Sequence, residues 1–133
     1  MKLTKLYNDI LKESLSLDIM KNMEKSDYFG SEFGQDVEAA GTYVSHKDVA
    51  GEINDPNYLT GVANLKSPLY IDVDDDTLIK YKYHLADKYK AKGKGLTKKL
   101  MSLGYDSIVT RLKNRNGEFG EIILFPNAKF MLS

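Results

Sequence analysis

The chain has 133 residues, enough for one domain with a real core and too few for two. Its 19 lysines and arginines balance 19 aspartates and glutamates, and zero net charge argues against a dedicated nucleic-acid binder, whose affinity rests on neutralising phosphates. With no cysteine and only two histidines, His46 and His84, disulfides and thiolate metal sites are excluded and a structural zinc site is not expected. No apolar run approaches the roughly 20 residues that span a bilayer, and the first residues lack the apolar core of a signal peptide. These features lead to the expectation of a cytoplasmic protein with no membrane partner.

Leu3, Leu6, Tyr7, Ile10, Leu11 and Leu15 fall three and four apart in "LTKLYNDILKESLSLD", which predicts an amphipathic helix. Met20 and Met23 extend the pattern weakly, so residues 1–25 read as an N-terminal helical segment, continuous or restarting after Asp18. It packs on the domain or docks on a partner. "SDYFGSEFGQDVEAAG" breaks the period with glycines and aromatics and reads as loop. "GTYVS" reads as a short strand with Tyr43 and Ser45 on one face and Thr42 and Val44 on the other. "KDVAGEIND" suggests a short helix, and "YLTGVANLKSPLYIDV" a strand followed by a strand, with Pro68 at an edge, at a bulge or opening the second.

Asp72, Asp74, Asp75 and Asp76 form an acidic run without the spacing of a calcium loop, so it reads as a loop that caps the next helix. That helix is expected from about Thr77 to Lys90, with Leu78, Ile79, Leu85, Ala86 and Tyr89 inward. "GKG" is expected to interrupt it before a short helix, "LTKKLMSLG", with Gly104 as its left-handed cap. Eight lysines lie between Lys80 and Lys99, a solvated cationic face or a patch for an acidic partner or phosphate-bearing ligand. "YDSIVTRL" reads as a strand, "KNRNG" as a turn around Asn116 and Gly117, and "EIILF" as the antiparallel partner strand ended by Pro126. "AKFML" is strand or turn. The fold class is α+β, one domain over 1–133 with an antiparallel-rich sheet, flanking helices and the N-terminal amphipathic helix.

Glu121 stands before Ile122, Ile123, Leu124 and Phe125, at the mouth of a strand apolar on both faces. A carboxylate there is costly unless solvated or paired. It reads as a strand-end charge near the sheet rim, paired with Arg111 or Lys113 on the neighbouring strand, or as a partly buried group aimed at a ligand.

Several short motifs bear on that choice. Ser67-Pro68-Leu69, then "LTKKLMSLGYDSIV", then "EIILFPNAKF", with "GTYVSHKDVA" upstream, resemble the ADP-ribosyltransferase-like domains of phage and bacterial polyvalent proteins and toxins. The resemblance covers roughly residues 41 to 130. It implies a split sheet with nicotinamide adenine dinucleotide (NAD) bound in the cleft, Gly41, Tyr43 and Ser45 in the binding element, Tyr43 stacking on the nicotinamide, and Glu121 as the catalytic carboxylate. Cleavage there resembles glycoside hydrolysis, in which a fixed carboxylate stabilises positive charge growing on the ribose. The sequence departs from the family in two places: no histidine precedes His46 to stand for the first-strand "HG[ST]" element, and Ser107 replaces the usual glycine. The resemblance therefore implies a small transferase, phage-encoded by the family's distribution, acting on a host protein. Its rivals are a non-catalytic binder or inhibitor on the same scaffold, and an accessory virion protein docked through its N-terminal helix.

Overall fold

The two faces of the sheet bury different sets of residues, and β5 is buried on both. The computed structural model describes residues 15–22, 37–46, 58–74, 76–77, 80–113 and 118–133. In chain order the elements are β1 Leu15–Asn22, β2 Thr42–His46, β3 Tyr58–Leu65, β4 Pro68–Val73, α1 Lys80–Tyr89, α2 Gly93–Ser102, β5 Ser107–Leu112, β6 Glu118–Leu124 and β7 Lys129–Leu132. The described strands form one mixed sheet in the order β4-β5-β6-β2-β1-β3-β7. Only β4 and β5 pair in parallel; the other neighbours are antiparallel. A parallel pair needs a crossover, and α1 and α2 supply it.

The helices cover one face. Tyr81, Leu85, Leu96 and Leu100 pack there on Tyr43, Val73, Ile108, Leu112, Ile123 and Phe125. On the other face Leu17, Ile19, Ala63 and Leu65 meet Val109, Ile122 and Leu124, which belong to strands two or more places away in the sheet. Residues so far apart in strand order touch only if the sheet curls over them. Among the described residues, β1 joins β2 at Ile19↔His46 and Met20↔Ser45. The described strands are thus linked into one continuous sheet.

The α+β class and the strands expected at 42–45, on either side of Lys66-Ser67, at 107–112 and at 121–124 are present, and Pro68 opens β4. Three expectations are corrected. Residues 15–22 form a strand, so the expected N-terminal helix does not run through Asp18 and the 1–25 segment is not helical throughout. Leu15 and Leu17 alternate with Ser16 and Asp18, a period of two, while Leu15 also continues the spacing of three and four upstream. "GKG" does not break the helices but forms the first turn of α2, and the break falls at Lys90, whose φ is 52°. Glu121 lies mid-strand in β6 rather than at a strand mouth. The part of the expected N-terminal helix that precedes Leu15, the "KDVAGEIND" helix and the Asn116-Gly117 turn lie outside the described residues.

Two turns fix the ends of the crossover. Asp74 accepts from the amides of Asp76 and Thr77 and from the Thr77 hydroxyl, which together hold its carboxyl below the usual carboxylate range. Gly104, at φ 98°, closes α2: its amide donates to Met101 and that of Tyr105 to Leu100, both at the carbonyl.

Asp106 ties three strands together. Its buried carboxylate accepts from the amides of Lys66 and Ser67 at 2.8 and 3.3 Å and from the Ser107 hydroxyl at 2.9 Å. Its carbonyl accepts from the amide of Phe125 just past β6. Asp106→Ala orphans these donors and is expected to cost about 3 kcal/mol in urea unfolding, whereas Asp106→Asn, which retains an acceptor, costs less.

Candidate functional site

The register of β2 against β6 pairs Tyr43 with Ile123 and Ser45 with Glu121, so all four side chains lie on the face covered by the helices. Opposite Glu121 the β5–β6 ladder is irregular between Val109 and Arg111, and the buried Thr110 hydroxyl donates to the Glu121 carbonyl at 2.7 Å. The backbone of Glu121 is thereby fixed from β5 while its side chain rises toward α1.

From α1 come Tyr81 and Lys82, both buried. The Tyr81 hydroxyl donates to Glu121 Oε2 at 2.6 Å. Lys82 Nζ lies 2.5 Å from Glu38 Oε1 and 3.3 Å from Glu121 Oε2. Its ammonium also faces the rings of Tyr43 and Tyr81, 5.7 and 6.0 Å from their centroids. Glu38 is fully enclosed, and its Oε2 has no hydrogen-bond partner among the described residues. Lys82 is therefore what balances that carboxylate in the interior. The result is a buried cluster of two carboxylates, one ammonium and two phenols beneath α1.

Glu121 keeps 23% of its side-chain surface exposed and is the cluster's opening toward solvent. Tyr43 is enclosed: it belongs to the helix-side core, and its hydroxyl donates to the Ala39 carbonyl at 2.6 Å. A hydroxyl has one proton, and this contact gives it to the backbone rather than to Glu38. Burial first, then the charges of Glu38 and Glu121, push the Tyr43 phenol far above its ordinary range. Burial and the neighbouring Glu121 carboxylate push Tyr81 up in the same way. Both phenols stay neutral donors across the physiological range.

The candidates read from sequence are thus placed as follows. Tyr43 and Glu121 converge on one cluster. Gly41 precedes β2, where an added Cβ would come within 2.6 Å of the Leu124 carbonyl oxygen, so close packing against β6 accounts for the glycine. Ser45 is exposed beside Glu121. Arg111, one of the two cations weighed as a partner for Glu121, pairs at 2.8 Å with Asp72, its neighbour in the β4–β5 register, and the extra β6 residue between Phe119 and Ile122 sets Glu121 on the other face of the sheet. Glu121 takes its cation from α1 instead. Among the described residues no group of three or more His, Asp and Glu side chains could hold a metal ion.

Sequence reasoning missed Glu38, Tyr81 and Lys82. A signal for Lys82 was present: with Leu85, Ala86 and Tyr89 it falls on the inward stripe of α1 at spacings of three and four. A lysine in that register needs an acid beneath it. No family model, characterised protein or solved structure matches the chain.

Removing the cation strands two carboxylates. Lys82→Met is expected to cost about 3–5 kcal/mol in urea unfolding, and Glu121→Gln, at a partly solvated position that keeps the Tyr81 bond, nearer 1 kcal/mol. The phenols make a second prediction with a definite sign. Unfolded tyrosines ionise near pH 10 while Tyr43 and Tyr81 hold their protons, so their contribution to stability is complete below about pH 10 and is lost as the pH rises toward the raised folded values. Unfolding measured above pH 10 is expected to lose about 1.4 kcal/mol per pH unit for each such phenol, and Tyr81→Phe to make that slope shallower.

Proposed function

We propose that the chain is a binding protein that acts on a target protein through its lysine-rich helical pair, without catalysis, on a scaffold of the ADP-ribosyltransferase-like kind. The observation that carries this reading is the charge of α1, α2 and their connection. Lys88, Lys90, Lys92, Lys94, Lys98 and Lys99 are all exposed, and no carboxylate residue lies between Lys88 and Tyr105. A stretch of one sign on a chain of zero net charge steers and orients an acidic partner surface. Where the family resemblance extends to use, that partner is a host protein and the chain is its inhibitor.

The side chains that the resemblance assigns to chemistry already have partners within the protein. A tyrosine enclosed in the core has no ring face to offer a nicotinamide. A carboxylate that already accepts from Tyr81 and lies 3.3 Å from an ammonium has less field to offer a developing ribosyl cation.

A second reading, ADP-ribose transfer from NAD to a host protein, is favoured by one observation: the partly exposed Glu121 carboxylate shares a sheet face with Tyr43 and Ser45. Labelled NAD incubated with the protein and a host lysate separates the two. The binding reading predicts no label transfer. It also predicts retention on immobilised poly-glutamate that weakens with added salt and falls on the order of tenfold in Lys92→Glu/Lys99→Glu. Label transfer that Glu121→Gln abolishes, or no retention on poly-glutamate at low salt, overturns it.

A further inference from the structure

A pocket of about 170 Å³ opens between α2 and the start of β2, away from the Glu121 cluster. Ala40 and Gly41 form one wall, the α2 side chains Lys94, Lys98 and Met101 the other, and Pro126 closes an end. Its surface is almost wholly apolar, with the lysines contributing their stems to the wall. The walls are held in place from behind. The buried Thr97 hydroxyl donates to the Ala40 carbonyl at 2.7 Å, and the Ala40 amide donates to the Gly93 carbonyl at 3.4 Å. The site therefore exists before anything enters it, and its occupant need not organise it.

Size decides what fits. Clefts for dinucleotides and other small-molecule ligands run to roughly 300–1,000 Å³, whereas an apolar cavity of about 150 Å³ takes a single benzene. This pocket holds one ring. Charge decides what surrounds that ring, since Lys94 and Lys98 stand at the mouth and Lys92 and Lys99 continue the same sign along the chain.

We infer that the pocket between α2 and β2 is the anchor point for the acidic partner: it receives one aromatic side chain of a partner-protein segment whose flanking residues are aspartate or glutamate. The inference rests on the binding function proposed above and gives it an address. An aromatic anchor in a preformed apolar pocket, ringed by charge pairs at the rim, is the usual division of work at a protein interface: the anchor carries affinity and the rim carries orientation and rate.

The test is a titration of the isotope-labelled full chain, followed by amide chemical shifts. The probe is a capped pentapeptide with phenylalanine at its centre and two acidic residues on each side, run beside the same peptide with serine at the centre. The phenylalanine peptide is expected to shift the amides of Ala40, Gly41 and Met101 to saturation, and the serine peptide to bind about fivefold or more weakly. Lys98→Glu, an exposed change that leaves the fold intact, is expected to weaken the phenylalanine peptide by up to about fivefold. Equal binding of the two peptides, with shifts along the lysines and none at Ala40 and Gly41, overturns the pocket while leaving the binding function standing. Binding by neither peptide overturns both.

Discussion

The Lys82 ammonium, buried between the carboxylates of Glu38 and Glu121, is the constraint around which the helix side of this protein is arranged. Taking an ammonium and a carboxylate out of water costs several kcal/mol each, and only good geometry between them repays it. The pairing is therefore weak as a source of net stability and strong as a specification. It holds α1 against β6 through Glu121, and it holds the segment before β2 against α1 through Glu38. The same segment then continues through Ala39, which accepts the Tyr43 hydroxyl, and Ala40, which accepts the Thr97 hydroxyl from α2. One buried cation thus sets the position of both crossover helices over the sheet.

This arrangement separates the charges of a neutral chain into two populations. Seven of the eight lysines from Lys80 to Lys99 face solvent, and the eighth, Lys82, is consumed inside. Inside, Lys82 pairs with Glu38 and lies within 3.3 Å of Glu121. The outer lysines have no acid within their own stretch beyond Asp87 and project their charge outward. Such a partition leaves a cationic outer face over a largely enclosed inner cluster, and on the binding reading proposed above the apolar pocket lined by Lys94 and Lys98 gives that face a point of shape.

The elements most legible in the sequence were those whose pattern has one cause. β2, β4, β5 and β6 alternate or are rich in β-branched and aromatic residues, Pro68 can open a strand but not sit inside one, and Gly104 takes a conformation that other residues resist. Leu15 misled because it satisfies a period of three to four with the residues before it and a period of two with Leu17 and Ile19 after it. Only its pairing with Leu65 on β3 decides between them. The partner of Glu121 was illegible for a similar reason. Hairpin register alone points to Arg111, but β6 carries an extra residue between Phe119 and Ile122 that moves Glu121 to the other face, while Arg111 keeps its place beside Asp72, and a bulge of this kind leaves no mark in composition. Tyr43 and Glu121 were found together through the motif resemblance and do share a face. That Tyr43 is enclosed depends on Tyr81 and Leu85 arriving from α1, a contact between segments about forty residues apart that no local pattern encodes.

The central claim is that Lys82 and Glu38 form one interior unit and that the helix side rests on their pairing. A double-mutant cycle with Lys82→Met and Glu38→Gln, read by urea unfolding, measures it directly. The account predicts a coupling of about 2–3 kcal/mol, with the double variant more stable than Lys82→Met alone because it no longer buries an unpaired carboxylate. Additive losses, with coupling below about 0.5 kcal/mol, would contradict it.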